Sequence, residues 1–175
     1  MGADDSEASL GEILTLEQAL EWRVGLRAAG GMLVFTNGHF DLLHVGHLEY
    51  LERARALGSA LFVGVNGDGS TGRLKGPGRP VLPADERARL LAALAPVDAC
   101  IVFDDDTATA LVEALQPEIY AKGGDYAAPL GGVAKPLPER PAVDAYGGRV
   151  VLIDYLPGHS TSALIAKVRA LPEGN

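Results

Sequence analysis

Thr36-Asn-Gly-His-Phe-Asp-Leu-Leu-His-Val-Gly-His47 joins a short apolar run at 32–36 to an amphipathic, Leu- and Ala-rich stretch at 46–57. A β-branched or aromatic run that gives way to a helical period is the first half of a βαβ unit. The alternation recurs downstream. Strand-like runs stand at 61–65, 99–103, 118–121 and 149–155, and helical patterns at 16–29, 84–94, 107–115 and 160–171. Local signals mark the helix ends: Gly30-Gly31 and Gly58 as stops, Pro83 as an opener, Thr107 and Ser160 as caps.

This pattern predicts an α/β fold: a Rossmann-like, doubly wound parallel sheet of about five strands in a single domain. With 175 residues, 47% of them hydrophobic, the chain can bury one full core. The folded domain is expected at 11–171, with a disordered acidic N-terminus at 1–10 and a tail at 172–175. No apolar run approaches the roughly 20 residues of a membrane helix, and the N-terminus lacks the basic and apolar regions of a secretory signal. The expected location is therefore the cytoplasm, with no membrane partner. Cys100 sits in the apolar run Ala99-Cys-Ile-Val-Phe103 and reads as a small buried hydrophobe.

A net charge of −8 argues against nucleic acid as a partner. Yet Arg73, Lys75, Arg79, Arg87 and Arg89 gather between the second strand and the following helix, and local positive charge on an acidic protein suits a small anion. Two Gly- and Pro-rich segments, 67–83 and 127–148, read as long loops of the kind that form lids.

In an open parallel sheet the ligand lies beyond the carboxyl ends of the strands, which directs attention to the segment after the first one. Its glycine spacing fits neither a dinucleotide fingerprint nor a Walker loop. His44 and His47 are three residues apart, so at a helix start both face one side, beside the free N–H groups of the first turn. Gly46 clears space between them, and the positive end of the helix dipole adds to the attraction for a phosphate. Zinc is the competing ligand, because His39, His44, His47 and His159 all stand at predicted strand ends. No cysteine or carboxylate stands at ligand spacing, so no resident metal site is expected.

Gly38-His-Phe-Asp-Leu-Leu-His-Val-Gly-His47 resembles the HxGH signature of the cytidylyltransferase-like nucleotidyltransferase superfamily. Val65-Asn-Gly-Asp68 with Ser70-Thr71, Arg73-Leu-Lys-Gly76, Arg79-Pro80, Glu86-Arg87, Lys122-Gly-Gly-Asp-Tyr126 and Ser160-Thr-Ser162 follow in order. Together they resemble the adenylyltransferases that make ADP-heptose from heptose 1-phosphate and ATP. The resemblance implies transfer of AMP from ATP to a sugar 1-phosphate, release of pyrophosphate, Mg2+ arriving with ATP, and a homodimer. It implies catalytic roles for His44, His47 and Lys75. Nucleotide contacts would come from Asn37, Gly38, His39, Phe40 and Gly46, from Lys122, Gly123, Gly124 and Asp125, and from Ser160, Thr161 and Ser162. Arg79 and Arg87 would meet the acceptor phosphate.

Several residues of these motifs also have an ordinary structural reading. Ser160 suits a helix cap, Lys122-Gly-Gly-Asp125 a tight turn, Asp41 a cap before a helix, and Arg73 and Arg89 a solvated face. His39 stands where the heptose enzymes show cysteine and the wider superfamily threonine. The segment before Ser160-Thr-Ser162 lacks the arginine that cytidylyltransferases carry, which favours ATP over CTP. The alternatives are a cytidylyltransferase for glycerol or another polyol phosphate, an adenylyltransferase of the flavin or phosphopantetheine kind, a nucleotide-binding regulator without turnover, and a metal-binding module.

Overall fold

Along β2 (Leu33–Gly38), Leu33 and Phe35 point into one core and Val34 into another, as the two-residue period of extended chain requires. The computed structural model describes residues 10–123, 136–154, 156 and 158–172. The split repeats in β3 (Ala60–Asn66), β4 (Ala99–Phe103) and β5 (Ile119–Gly123). Phe62, Ile101 and Tyr120 join the core of Phe35, while Val63, Cys100 and Ala121 join that of Val34. Strands buried on both faces read as near-continuous apolar runs, which is why these four are plain in the sequence.

Helices cover both faces. α2 (Val45–Arg55) and α4 (Ala84–Ala92) put Leu51, Ala54, Ala88 and Leu91 over one face. α1 (Leu16–Ala28), α5 (Thr109–Leu115) and α6 (Arg140–Ala145) put Ala19, Leu111, Val112 and Val143 over the other. With β6 (Arg149–Ile153) and the two-residue β1 (Glu12–Ile13), the sheet has six parallel strands in the order β1-β4-β3-β2-β5-β6. The chain runs from β2 outward through β3 to β4, then returns to place β5 on the other side of β2. The order therefore reverses between β2 and β5, and the crevice for a ligand lies at their carboxyl ends.

The sheet thus has one strand more than expected. β1 is too short to show a period, and it exists because Gly11 and Glu12 donate their N–H groups to Ala92 O and Asp98 O at one edge. α3 (Asp68–Lys75) and α6 fall inside the segments expected to be loops. α3 contains two glycines, a composition that disfavours helix, yet the Asp104 carboxylate accepts the Ser70 N–H at 2.8 Å and fixes its first turn. Gly67 and Gly69 are what admit it, since a Cβ at either position would stand 2.5 or 2.4 Å from an Asp104 oxygen. Ala108, not Thr107, is the N-cap residue of α5, and the Thr107 hydroxyl pairs with that of Thr109 instead. Cys100 is buried as expected, and burial pushes its thiol up to about 12.

Gly58 serves close approach as well as a helix end: a Cβ there would lie 2.6 Å from Val34 Cγ2 and 2.8 Å from Met32 O. Gly58→Ala is expected to cost about 1–3 kcal/mol through displacement of the start of β2. Equilibrium urea unfolding reads this, and an unchanged midpoint would contradict the packing described.

Candidate functional site

His44 is the N-cap residue of α2, with extended backbone (φ −147°, ψ 167°) and no side-chain cap bond. Freed from capping, its ring lies parallel to that of His47, with centroids 3.8 Å apart and planes 17° apart. A Cβ on Gly46 would fall 3.0 Å from His44 Nδ1 and 3.0 Å from the Cβ of His159, so the glycine makes room for the histidines themselves as well as for a ligand. Phe40, buried and with a left-handed φ of 46°, supports the stack by meeting His47 edge-on at 5.3 Å. Gly38 lets that phenyl ring close in.

Both Nδ1 atoms are buried with no hydrogen-bond partner. The Nε2 edges are therefore the ones that can meet a ligand. Burial holds the His47 imidazole down at about 4, with the neighbouring His44 as the second cause. His44 is lowered too, by burial first and then by His159. Two neutral rings are compatible with a stack that two imidazolium ions would oppose by like-charge repulsion.

These rings open on a cavity of about 940 Å³ at the carboxyl ends of β2 and β5. The turn after β2 contributes Asn37, Gly38, His39 and Phe40; Lys75 enters from the end of α3, and Arg79 from the loop beyond it. β5 contributes Lys122 and Gly123, and the mouth of α7 (Thr161–Arg169) contributes Ser160, Thr161 and Ser162. Ser160 is the cap the sequence suggests, accepting the Ala163 N–H at 3.1 Å. Gly124 and Asp125 lie outside the described residues.

The charged lining is anchored. Lys122 Nζ donates to Asn37 Oδ1 at 2.8 Å, and the Tyr120 hydroxyl donates to the same oxygen at 2.6 Å. Asn37 is thereby fixed with its amide oxygen toward β5, since lysine can only donate. Arg79 Nη1 pairs with Asp41 Oδ2, while Asp41 Oδ1 accepts the N–H groups of Val81 and Leu82 at 2.7 and 3.1 Å. Asp41 is thus a pin for the loop carrying Arg79 and not a helix cap. No local signal shows this in the sequence, because its partners lie about forty residues on.

Arg87 requires a correction. Expected at the acceptor phosphate, it is 0% exposed and does not line the cavity. Its guanidinium donates to Leu82 O, His39 O, Asn66 O and Asp68 Oδ1, tying together the three loops around the site. Arg73 pairs with Asp106 and Asp104 at the surface, in keeping with a solvated role. Among the described residues no group of three or more His, Cys, Asp or Glu has the arrangement of a metal site. No helix of the described residues is long and apolar enough to cross a membrane.

Arg87→Lys is expected to lower stability by about 2–4 kcal/mol, because one ammonium cannot serve the acceptors a planar guanidinium bridges. Urea unfolding checks it, and a loss below about 0.5 kcal/mol would contradict the clamp. The His39 and His47 pKa values are both about 4, below the ordinary 6.5. Unfolded rings therefore take up protons that the folded ones refuse. Their contribution to stability is full above about 6.5 and is lost as the pH falls from there toward 4. A His39→Gln, His47→Gln double variant should show a shallower fall in urea midpoint over that window than wild type, and equal slopes would refute the assignment.

The cytidylyltransferase-like family profile matches residues 35–157. The "Bifunctional protein HldE" of Syntrophotalea carbinolica is 51% identical over 81% of this chain and 28% of that protein. The protein of the same name from Citrifermentans bemidjiense is 46% identical over 95% of this chain and 32% of its own length, so the chain spans about a third of these relatives. The "lipopolysaccharide core biosynthesis protein" of Thermoplasma volcanium superposes with a TM-score of 0.57 at 27% identity, over 73% of this chain and 98% of that one. Pantothenate synthetase of Thermus thermophilus shares the fold, with a TM-score of 0.53 at 17% identity over 82% of this chain and 60% of that one. A match over residues 35–157, a range that includes the segment building the histidine stack, means that this chain belongs to the cytidylyltransferase-like family.

Proposed function

We propose that the chain is an adenylyltransferase that transfers AMP from ATP to a sugar 1-phosphate, heptose 1-phosphate, and releases pyrophosphate to give ADP-heptose. The observation that carries this reading is the pair of stacked imidazoles at the mouth of α2, both lining the cavity and both with a buried Nδ1 that has no partner. The motifs that resemble heptose 1-phosphate adenylyltransferases, and the relatives that share one name, support the substrate pair.

In this reading an oxygen of the acceptor phosphate attacks the α-phosphorus of ATP, the bond from that phosphorus to the bridging oxygen breaks, and pyrophosphate leaves with the electron pair. No enzyme nucleophile is needed, so positioning and charge stabilisation carry the rate. His44 and His47 donate Nε2–H bonds to oxygens on which charge develops, in a site where burial strengthens each bond. The first-turn N–H groups of α2 and α7 add partial positive charge from two sides. Lys75 and Arg79 neutralise phosphate oxygens from the α3 side, and Asn37 and Lys122 line the nucleotide side.

Mg2+ bound with ATP would supply neutralisation of triphosphate charge. Of the carboxylates on the cavity wall, Asp41 is occupied by its loop, Glu139 is buried and accepts the Ala108 N–H, and Asp106 is 56% exposed. Asp106 is also paired, with Arg73, so all three carboxylates are engaged, which would suit an ion held mainly by phosphate oxygens and water. The homodimer implied by resemblance belongs to the same reading, and light scattering on the purified chain reads it.

Pyrophosphate release measured with each nucleoside triphosphate against a panel of sugar and polyol phosphates tests the assignment. Turnover is expected with ATP and heptose 1-phosphate. Turnover with CTP and a polyol phosphate, but not with ATP, would replace it. His44→Ala and His47→Ala should each lower kcat about a hundredfold or more with the fold retained by circular dichroism, since each deletes a transition-state donor; near-normal rates would contradict the roles assigned.

A further inference from the structure

His39 and Thr71 come from different elements, the turn after β2 and the body of α3, and meet with Nδ1 and Oγ1 3.0 Å apart. Thr71 is fully buried, and its hydroxyl proton has two acceptors in reach: His39 Nδ1 at 3.0 Å and Asn66 O at 3.4 Å. Asn66 O already accepts from Arg87 Nη1 at 2.8 Å. His39 Nδ1 is the nearer of the two acceptors, and with the hydroxyl proton aimed there Nδ1 is the accepting nitrogen. A ring nitrogen that accepts carries no hydrogen, and a neutral imidazole has one N–H, so in His39 it stands on Nε2. With Nδ1 turned to α3, the Nε2 edge is left for the cavity that His39 lines.

The charge state of the ring agrees with this. Burial, then Lys75 on α3, Arg87 on α4 and Lys122 on β5, push His39 down to about 4, with Asp41 opposing them. Near neutral pH the ring brings no charge of its own to the site and acts through the direction of its one N–H. The opposite tautomer would turn a bare lone pair toward an anion and repel it.

We propose that Thr71 is a positioning residue that holds His39 as its neutral Nε2–H tautomer, aimed at a phosphate oxygen of the bound nucleotide. The proposal rests on the reading that this cavity takes a nucleoside triphosphate. It assigns a use to the histidine that stands where cysteine or threonine is usual, and it explains why the hydroxyl of a helix otherwise tied down by Asp104 faces inward.

The test is nitrogen NMR of the whole chain with 15N-labelled imidazoles, the His39 signals being assigned by their loss in His39→Gln. The expected spectrum has Nδ1 unprotonated and Nε2 protonated, with the Nε2 signal moving on addition of ATP. Thr71→Val, of nearly the same shape, should shift the ring toward the Nδ1–H form and raise KM for ATP about fivefold to tenfold, with kcat changed less than about twofold. Thr71→Ser should restore both readouts. A purely structural threonine would change the melting temperature and leave the tautomer alone. A wild-type spectrum with the proton on Nδ1 would overturn the proposal. So would a Thr71→Val variant with tautomer and KM unchanged, or ATP binding that leaves the Nε2 signal in place. If the chain binds no ATP, the nucleotide reading falls, while the free-state spectrum still decides whether Thr71 sets the ring.

Discussion

Two imidazoles pressed face to face at the N-terminus of a helix are the constraint around which this site is built. Such a stack is opposed when both rings are charged, and it needs space that a side chain at position 46 would take. Burial holds them neutral, and Phe40 closes one side. In the proposed reading these rings are a pair of N–H donors whose direction is set before any ligand arrives. Preorganised donors of this kind stabilise developing charge without reorganisation at the moment of reaction.

The surrounding loops are held by buried polar groups as well as by the apolar packing of Phe40 and Leu43. Arg87 spans the carbonyls of His39, Asn66 and Leu82, and Asp41 takes the N–H groups of Val81 and Leu82 together with Arg79. Both are costly to bury and are worth burying only when nearly every hydrogen bond is met. Their effect is to fix segments from two crossovers, β2 to β3 and β3 to β4, relative to the sheet, so that Lys75, Arg79 and His39 face the crevice formed where the strand order reverses. A sheet supplies the crevice, and these contacts decide what lines it.

The sheet was legible in the sequence because its central strands are buried on both faces and their apolar runs are dense. β1 was not, since two residues carry no period, and α3 was not, since its stability comes from Asp104 across the fold and not from its own glycine-containing composition. The histidine pair was legible because a three-residue spacing at a helix start fixes direction. Arg87 was misplaced for the opposite reason: a basic residue near a phosphate motif reads as a ligand, and only the fold shows that four oxygens of the protein already claim it. The roles of Asp41 and Thr71 depend on partners distant in sequence, and no local pattern reports them.

The most direct measurement is a crystal structure of the chain with a non-hydrolysable ATP analogue and Mg2+. The account predicts triphosphate oxygens within hydrogen-bonding distance of the Nε2 atoms of His44 and His47, between the mouths of α2 and α7. Phosphates bound elsewhere, with the two rings unchanged and out of contact with the nucleotide, would contradict it.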